Sequence, residues 1–274
     1  MLGIMLRGMA VGVTEAVPGI SGSTVAMILG VYERFIYSLS MLTTRKRRKS
    51  LPFLLLFGTG MVIGFIIAIF LVGYLLKTFR APTLLFFVGI IVGFLPYLWK
   101  DTLKISKKRL KMKHYVIIFL SIGIVVISQL LGHTSNMNLT NLSLADYFLL
   151  GMIGLVASTA LLLPGISGAL ILTIFGVYEF AMESLIMRNL PVVFAIGTGV
   201  LIGVLFSSKF IRYLLLHYQL ETYCAMIGLV SGSIFAILYN LDTYFNTQTM
   251  IISIISFLAG VISLVVLEKM QDQN

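Results

Sequence analysis

The chain has 274 residues, 59% of them hydrophobic and 11% charged, with a mean hydropathy of +1.04. That composition excludes a soluble globular domain and leaves a polytopic helical membrane protein, because apolar runs of roughly 18 or more residues recur, long enough to cross a bilayer as helices. The net charge of +10 does not point to nucleic acid: five of the 20 basic residues form Arg45-Lys46-Arg47-Arg48-Lys49 and seven more lie between Lys100 and Lys113. Both blocks sit between apolar runs, the pattern that marks the cytoplasmic side of a membrane protein.

Residues 1–42 read as two apolar helical pieces, Leu2 to Ala16 and Gly22 to about Met41, joined by Val17-Pro18-Gly19-Ile20-Ser21. Proline blocks the preceding helical turn and glycine permits the bend. At 1.5 Å per residue the first piece reaches only about 22 Å, short of a crossing, so the segment is expected to be a re-entrant hairpin. It lacks a basic n-region and runs through Arg7 and Glu15 into the hairpin tip, so it reads as a structural segment rather than a cleaved leader. Spans follow at about residues 51–76, 82–99 and 115–131, with Tyr97 and Trp99 beside Lys100 as an interfacial anchor. Residues 132–146 are polar and contain no Lys or Arg, which suits the outer face.

A second unit then begins. Val17 to Glu33, VPGISGSTVAMILGVYE, recurs at Leu163 to Glu179 as LPGISGALILTIFGVYE, an offset of 146 residues. Further on, Gly58, Gly60, Gly64, Gly89 and Gly93 recur as Gly197, Gly199, Gly203, Gly228 and Gly232, an offset of 139. The predicted architecture is therefore all-α, with two repeats of residues 1–131 and 147–274 around the outer loop. The second repeat holds a hairpin over 149–187 and spans at about 191–210, 223–239 and 250–267. Three crossings per unit make the second unit start on the opposite face, so the repeats are inverted and both termini are cytoplasmic. Inverted repeats with broken helices are a signature of transporters that alternate access about a central site.

The chemistry is concentrated at the tips. At Ser21-Gly22-Ser23-Thr24 a helix begins with small residues and hydroxyls, and Ser167-Gly168 offers the same from the opposite side. Free N–H groups and the positive dipole end favour an anion there, although small residues also serve close helix packing. Gly19 and Gly165 complete the two bends. Arg7 and Glu15 lie inside an apolar segment, where an ionisable group is a functional candidate: Arg7 for a phosphate, Glu15 for a proton or for fixing the loop. The alternative for Arg7 is snorkelling to the interface. Glu33, Arg34, Arg80, Glu179, Lys209 and Arg212 are weaker candidates at helix ends and interfaces. His114, His133 and His217 follow no ligand spacing, so no metal site is expected. No GxxxxGK[ST] run or other cofactor motif occurs, and one cysteine, Cys224, allows no internal disulfide.

The run Glu15-Ala16-Val17-Pro18-Gly19-Ile20-Ser21-Gly22-Ser23-Thr24, with Gly30-Val31-Tyr32-Glu33 after it, resembles the opening signature of the bacterial polyprenyl-phosphate transporter family. The resemblance extends over essentially the whole chain. It implies a plasma-membrane protein that returns undecaprenyl phosphate, the lipid carrier of envelope synthesis, from the outer to the inner leaflet. Two energy sources are open for such a step, proton or cation coupling through Glu15 and consumption of the carrier inside. Two positions depart from the family pattern, which usually has Asp in place of Glu15 and a glycine pair in place of Gly22-Ser23. The first departure keeps the charge and the second adds a hydroxyl. The Pro-Gly-x-Ser-x-Ser pattern is also similar to undecaprenyl-diphosphate phosphatases, but those carry Arg within the tip and a Glu-rich segment. Here Gly22 occupies that position, and without a cationic clamp and an acid/base pair phosphoryl transfer lacks charge stabilisation. A carrier of small soluble anions is a second alternative.

Overall fold

Two short helices flank the first tip. α1 (Leu2–Glu15) precedes the tip and α2 (Gly22–Ile28) follows it. A computed structural model describes residues 2–15, 21–106, 109–131, 142–168, 171–172, 175–239, 241 and 246–272, so the bend itself, with Val17, Pro18 and Gly19, lies outside the described residues. The sequence reading of one helix from Gly22 to Met41 is corrected at Gly30. Gly30 adopts φ +66°, and the Gly30 and Val31 amides donate to Met27 O and Ala26 O at 3.0 and 2.9 Å. That is a left-handed helix stop, which a residue with Cβ adopts at a steric cost. α3 (Tyr32–Met41) starts afresh beyond it, so Glu33 and Arg34 open a helix instead of closing one. The second copy breaks in the same way: Gly176 also has φ +66°, Val177 N donates to Leu172 O at 2.9 Å, and α8 (Tyr178–Ile186) follows.

The remaining helices are α4 (Arg47–Thr78), α5 (Arg80–Ile105), α6 (Met112–Leu131), α7 (Leu144–Leu162), α9 (Leu190–His217), α10 (Gln219–Tyr239) and α11 (Thr247–Asp272). No strand occurs among the described residues. These seven helices are long and apolar enough to cross a membrane. They comprise the six expected spans and α7, which the sequence reading treats as the entering arm of the second hairpin. α5 and α10 are the inner helices: half of the apolar window of α5 and 61% of that of α10 are buried, against 17% for α11. Outward-facing Phe70, Phe119, Phe194 and Phe206 leave an apolar exterior suited to hydrocarbon.

Close approach of backbones holds the helices together, and it repeats in register. α1 packs on α4, and α7 packs on α9. A Cβ on Gly8 would strike Phe57 O, and one on Gly154 would strike Ile196 O. One on Gly60 would strike Met5 O, and one on Gly199 would strike Gly151 O. The remaining major pairs cross between halves, α5 with α11 and α10 with α6. There Gly89 faces Phe257 O while Gly228 faces Ile118 O, at the same 139-residue offset. Small residues at such contacts let helices approach closely where the hydrophobic effect gives no preference for helix over lipid.

Candidate substrate site between the two tips

Three hydrogen bonds join residues 21–32 to residues 162–165. Ser21 Oγ donates to Leu163 O at 3.4 Å, Gly165 N donates to Thr24 Oγ1 at 2.9 Å, and Tyr32 OH donates to Leu162 O at 3.0 Å. The ends of α2 and α7 therefore meet, as the repeat of the PGISG string leads one to expect. Ser21, Ser23 and Thr24 are all buried, and Ser21 Oγ lies 2.6 Å from Ser23 Oγ. With the Ser21 proton directed at Leu163 O, Ser23 is left as the donor to Ser21.

The second tip is set by Gly165, at φ +89°. A side chain there would overlap the backbone of Leu229 and Val230 on α10. This bend therefore needs glycine both for its dihedral and for the closeness of an inner helix. Ser167 and Gly168 are half-buried beside it, with Gly168 facing Ala157 O.

Glu15 closes the first tip. Its Oε1 accepts the Gly22 amide at 3.1 Å, so a carboxylate already occupies the donor that the sequence reading offers to an anion. A Cβ on Gly22 would collide with that same carboxylate. Glu15 and Ser23 also line a cavity of about 180 Å³, walled otherwise by apolar residues including Ala26, Phe35 and Leu162. The arrangement brings hydroxyls, a carboxylate and a bend together in one buried place, which suits reversible exchange of an anion or a proton.

The other candidates have different surroundings. Arg7 is exposed on α1, two helical turns back from Glu15. Gly19 lies outside the described residues, as does the Glu179 side chain. Glu33 accepts from Tyr223 OH at 2.9 Å, and Arg34 stacks over Phe53 at 4.5 Å. Arg212 reaches Ser40 Oγ at 3.4 Å and covers the Tyr37 ring. Arg80 and Lys209 are exposed. No metal-binding group occurs among the described residues. Sequence reasoning used Tyr32 only as a repeat marker and missed its bond to the opposite tip. No signal in the sequence points to it, because the contact is made by tertiary docking of residues 130 apart.

Comparison with known proteins identifies the family. Residues 11–254 match the model of a family described as undecaprenyl phosphate translocase-like. The chain is 37% identical to a polyprenyl-phosphate transporter of Staphylococcus aureus, over 98% of this chain and 97% of that protein. It is 28% identical to a polyprenyl-phosphate transporter of Vibrio cholerae, over 85% of this chain and 76% of that protein. No solved structure matches significantly. The phosphatase alternative is set aside, since both relatives are named transporters. The chain thus belongs to the undecaprenyl phosphate translocase-like family and is a multi-pass membrane transporter.

Proposed function

We propose that this protein carries a polyprenyl phosphate, of the undecaprenyl kind, from the outer to the inner leaflet of the bacterial plasma membrane, recycling the carrier for envelope synthesis. The chain is organised as two inverted repeats, residues 1–131 and 147–274, each a re-entrant hairpin followed by three crossings, with both termini cytoplasmic. α7 enters as a hairpin arm, the counterpart of α1. This is supported by the matched packing of α1 on α4 and of α7 on α9.

The observation that carries the reading is the junction of the two tips through Ser21, Thr24 and Tyr32. In an alternating-access transporter the site lies where the repeats meet, and broken helices supply its donors. The phosphate is held by Ser21, Gly22, Ser23 and Thr24 with Gly19 on one side and by Gly165, Ser167 and Gly168 on the other. Arg7 serves as the first cation met from inside. Glu15 must release the Gly22 amide before a phosphate can take it. Protonation of Glu15 removes the charge and so weakens that bond, favouring the exchange and coupling lipid movement to a proton. Vesicles reconstituted with the full chain test the reading: labelled undecaprenyl phosphate changes leaflet faster than in protein-free vesicles, and equal rates overturn it.

A further inference from the structure

α2 has two flanks, and the flank away from Glu15 borders a second, larger cavity of about 250 Å³ between hairpin one, α5 and α11. Its walls include Val13, Val25, Ile28, Phe87, Ile90 and Leu264, with hydroxyls only at Thr14, Thr24 and Ser263. Two of those are bonded within their own helices, Thr14 to Val11 O and Ser263 to Gly260 O, each at 2.8 Å. The third, Thr24, accepts the Gly165 amide at 2.9 Å. The cavity therefore offers hydrocarbon and little for water to bind, and such cavities favour apolar guests.

We propose that this cavity seats the phosphate-proximal isoprenyl units of the transported lipid. The inference rests on the polyprenyl-phosphate reading above. Thr24 both lines the cavity and joins the two tips, so a phosphate at the tip hydroxyls sits one side chain from the cavity wall. The lipid has the matching order, with an anionic head bonded directly to a branched hydrocarbon. Scaled against the ~150 Å³ that holds a benzene, the space admits about one to two five-carbon units. The rest of the chain remains in the bilayer. The site thus distinguishes a prenyl phosphate from a free phosphate by filling both flanks of α2.

The test uses the full chain in vesicles with a polyprenyl phosphate bearing a diazirine in its first isoprenyl unit. Illumination is expected to place adducts on Val13, Val25, Ile28, Ile90 or Leu264, and unlabelled polyprenyl phosphate is expected to compete them away. Filling the space from two different helices, by Ala10→Phe and by Ile90→Trp, is expected to lower that labelling about tenfold or more, from the lost apolar burial. Adducts confined to outward residues such as Phe194 and Phe206, or labelling undiminished in both variants, overturn the inference while wild-type transport stands. Absence of wild-type transport in the same vesicles overturns the functional reading and this inference with it.

Discussion

The Tyr32 hydroxyl donates to Leu162 O at 3.0 Å, while its repeat counterpart Tyr178 is 38% exposed. The two halves share a sequence but not a state at this position. Under the alternating access proposed above, one gate is closed when its counterpart in the other repeat is open. Tyr32→Phe leaves the Leu162 carbonyl without that donor and is expected to cost about 1 kcal/mol. Thermal unfolding in detergent checks the loss. Tyr178→Phe is expected to leave stability unchanged, and equal losses in both variants would contradict the asymmetry.

Gly165 is expected to tolerate no side chain. The left-handed dihedral costs a non-glycine residue about 1–2 kcal/mol, and the added Cβ also overlaps the Leu229 backbone. Gly165→Ala should lower the folded yield sharply. Gly58→Ala and Gly197→Ala are controls, since a Cβ at either meets nothing. Both should fold and transport like wild type.

The repeat itself makes a paired prediction. Gly60→Ala and Gly199→Ala each drive a methyl into a facing carbonyl, of Met5 and Gly151 respectively. Overpacking of this kind costs about 1–3 kcal/mol. The two losses, read from thermal unfolding, should agree closely, and a large loss in one variant with none in the other would contradict equivalent packing.

Glu15→Gln keeps an oxygen to accept the Gly22 amide but removes the charge. Folding is expected to survive, and the pH dependence of lipid movement is expected to flatten. A pH profile unchanged from wild type would remove Glu15 from any proton step.

Much of this was legible in the sequence, and the misses have physical causes. Repeated glycines at fixed offsets marked the duplication, and at Gly60 and Gly199 a facing carbonyl explains why glycine recurs. The helix stop at Gly30 was not legible, because a glycine within an apolar run is equally compatible with a continuous helix until its dihedral is known. The tip hydroxyls were found from the repeated motif, but the Glu15–Gly22 bond is a contact that spacing alone does not show. The reach of Tyr32 to Leu162 is set by tertiary docking alone. Arg7 illustrates the converse: a charge in an apolar segment singles out a residue without showing which way it faces.

Membrane orientation can be checked through reactive thiols, since Cys224 is buried. A cysteine at exposed Thr43 should react only with reagents admitted to the inside, and one at exposed Ala145 should react from outside. The opposite pattern would invert the proposed topology.

The most direct measurement is the leaflet exchange rate of labelled undecaprenyl phosphate in vesicles carrying wild type, Gly22→Val or Gly58→Ala. The valine side chain would fill the place beside the Gly22 amide that the Glu15 carboxylate occupies and that the phosphate takes in turn, whereas the alanine at Gly58 meets open space. Fast exchange by wild type and Gly58→Ala, with loss in a folded Gly22→Val, is the predicted result. Undiminished exchange by Gly22→Val would contradict a phosphate site at the junction of the tips.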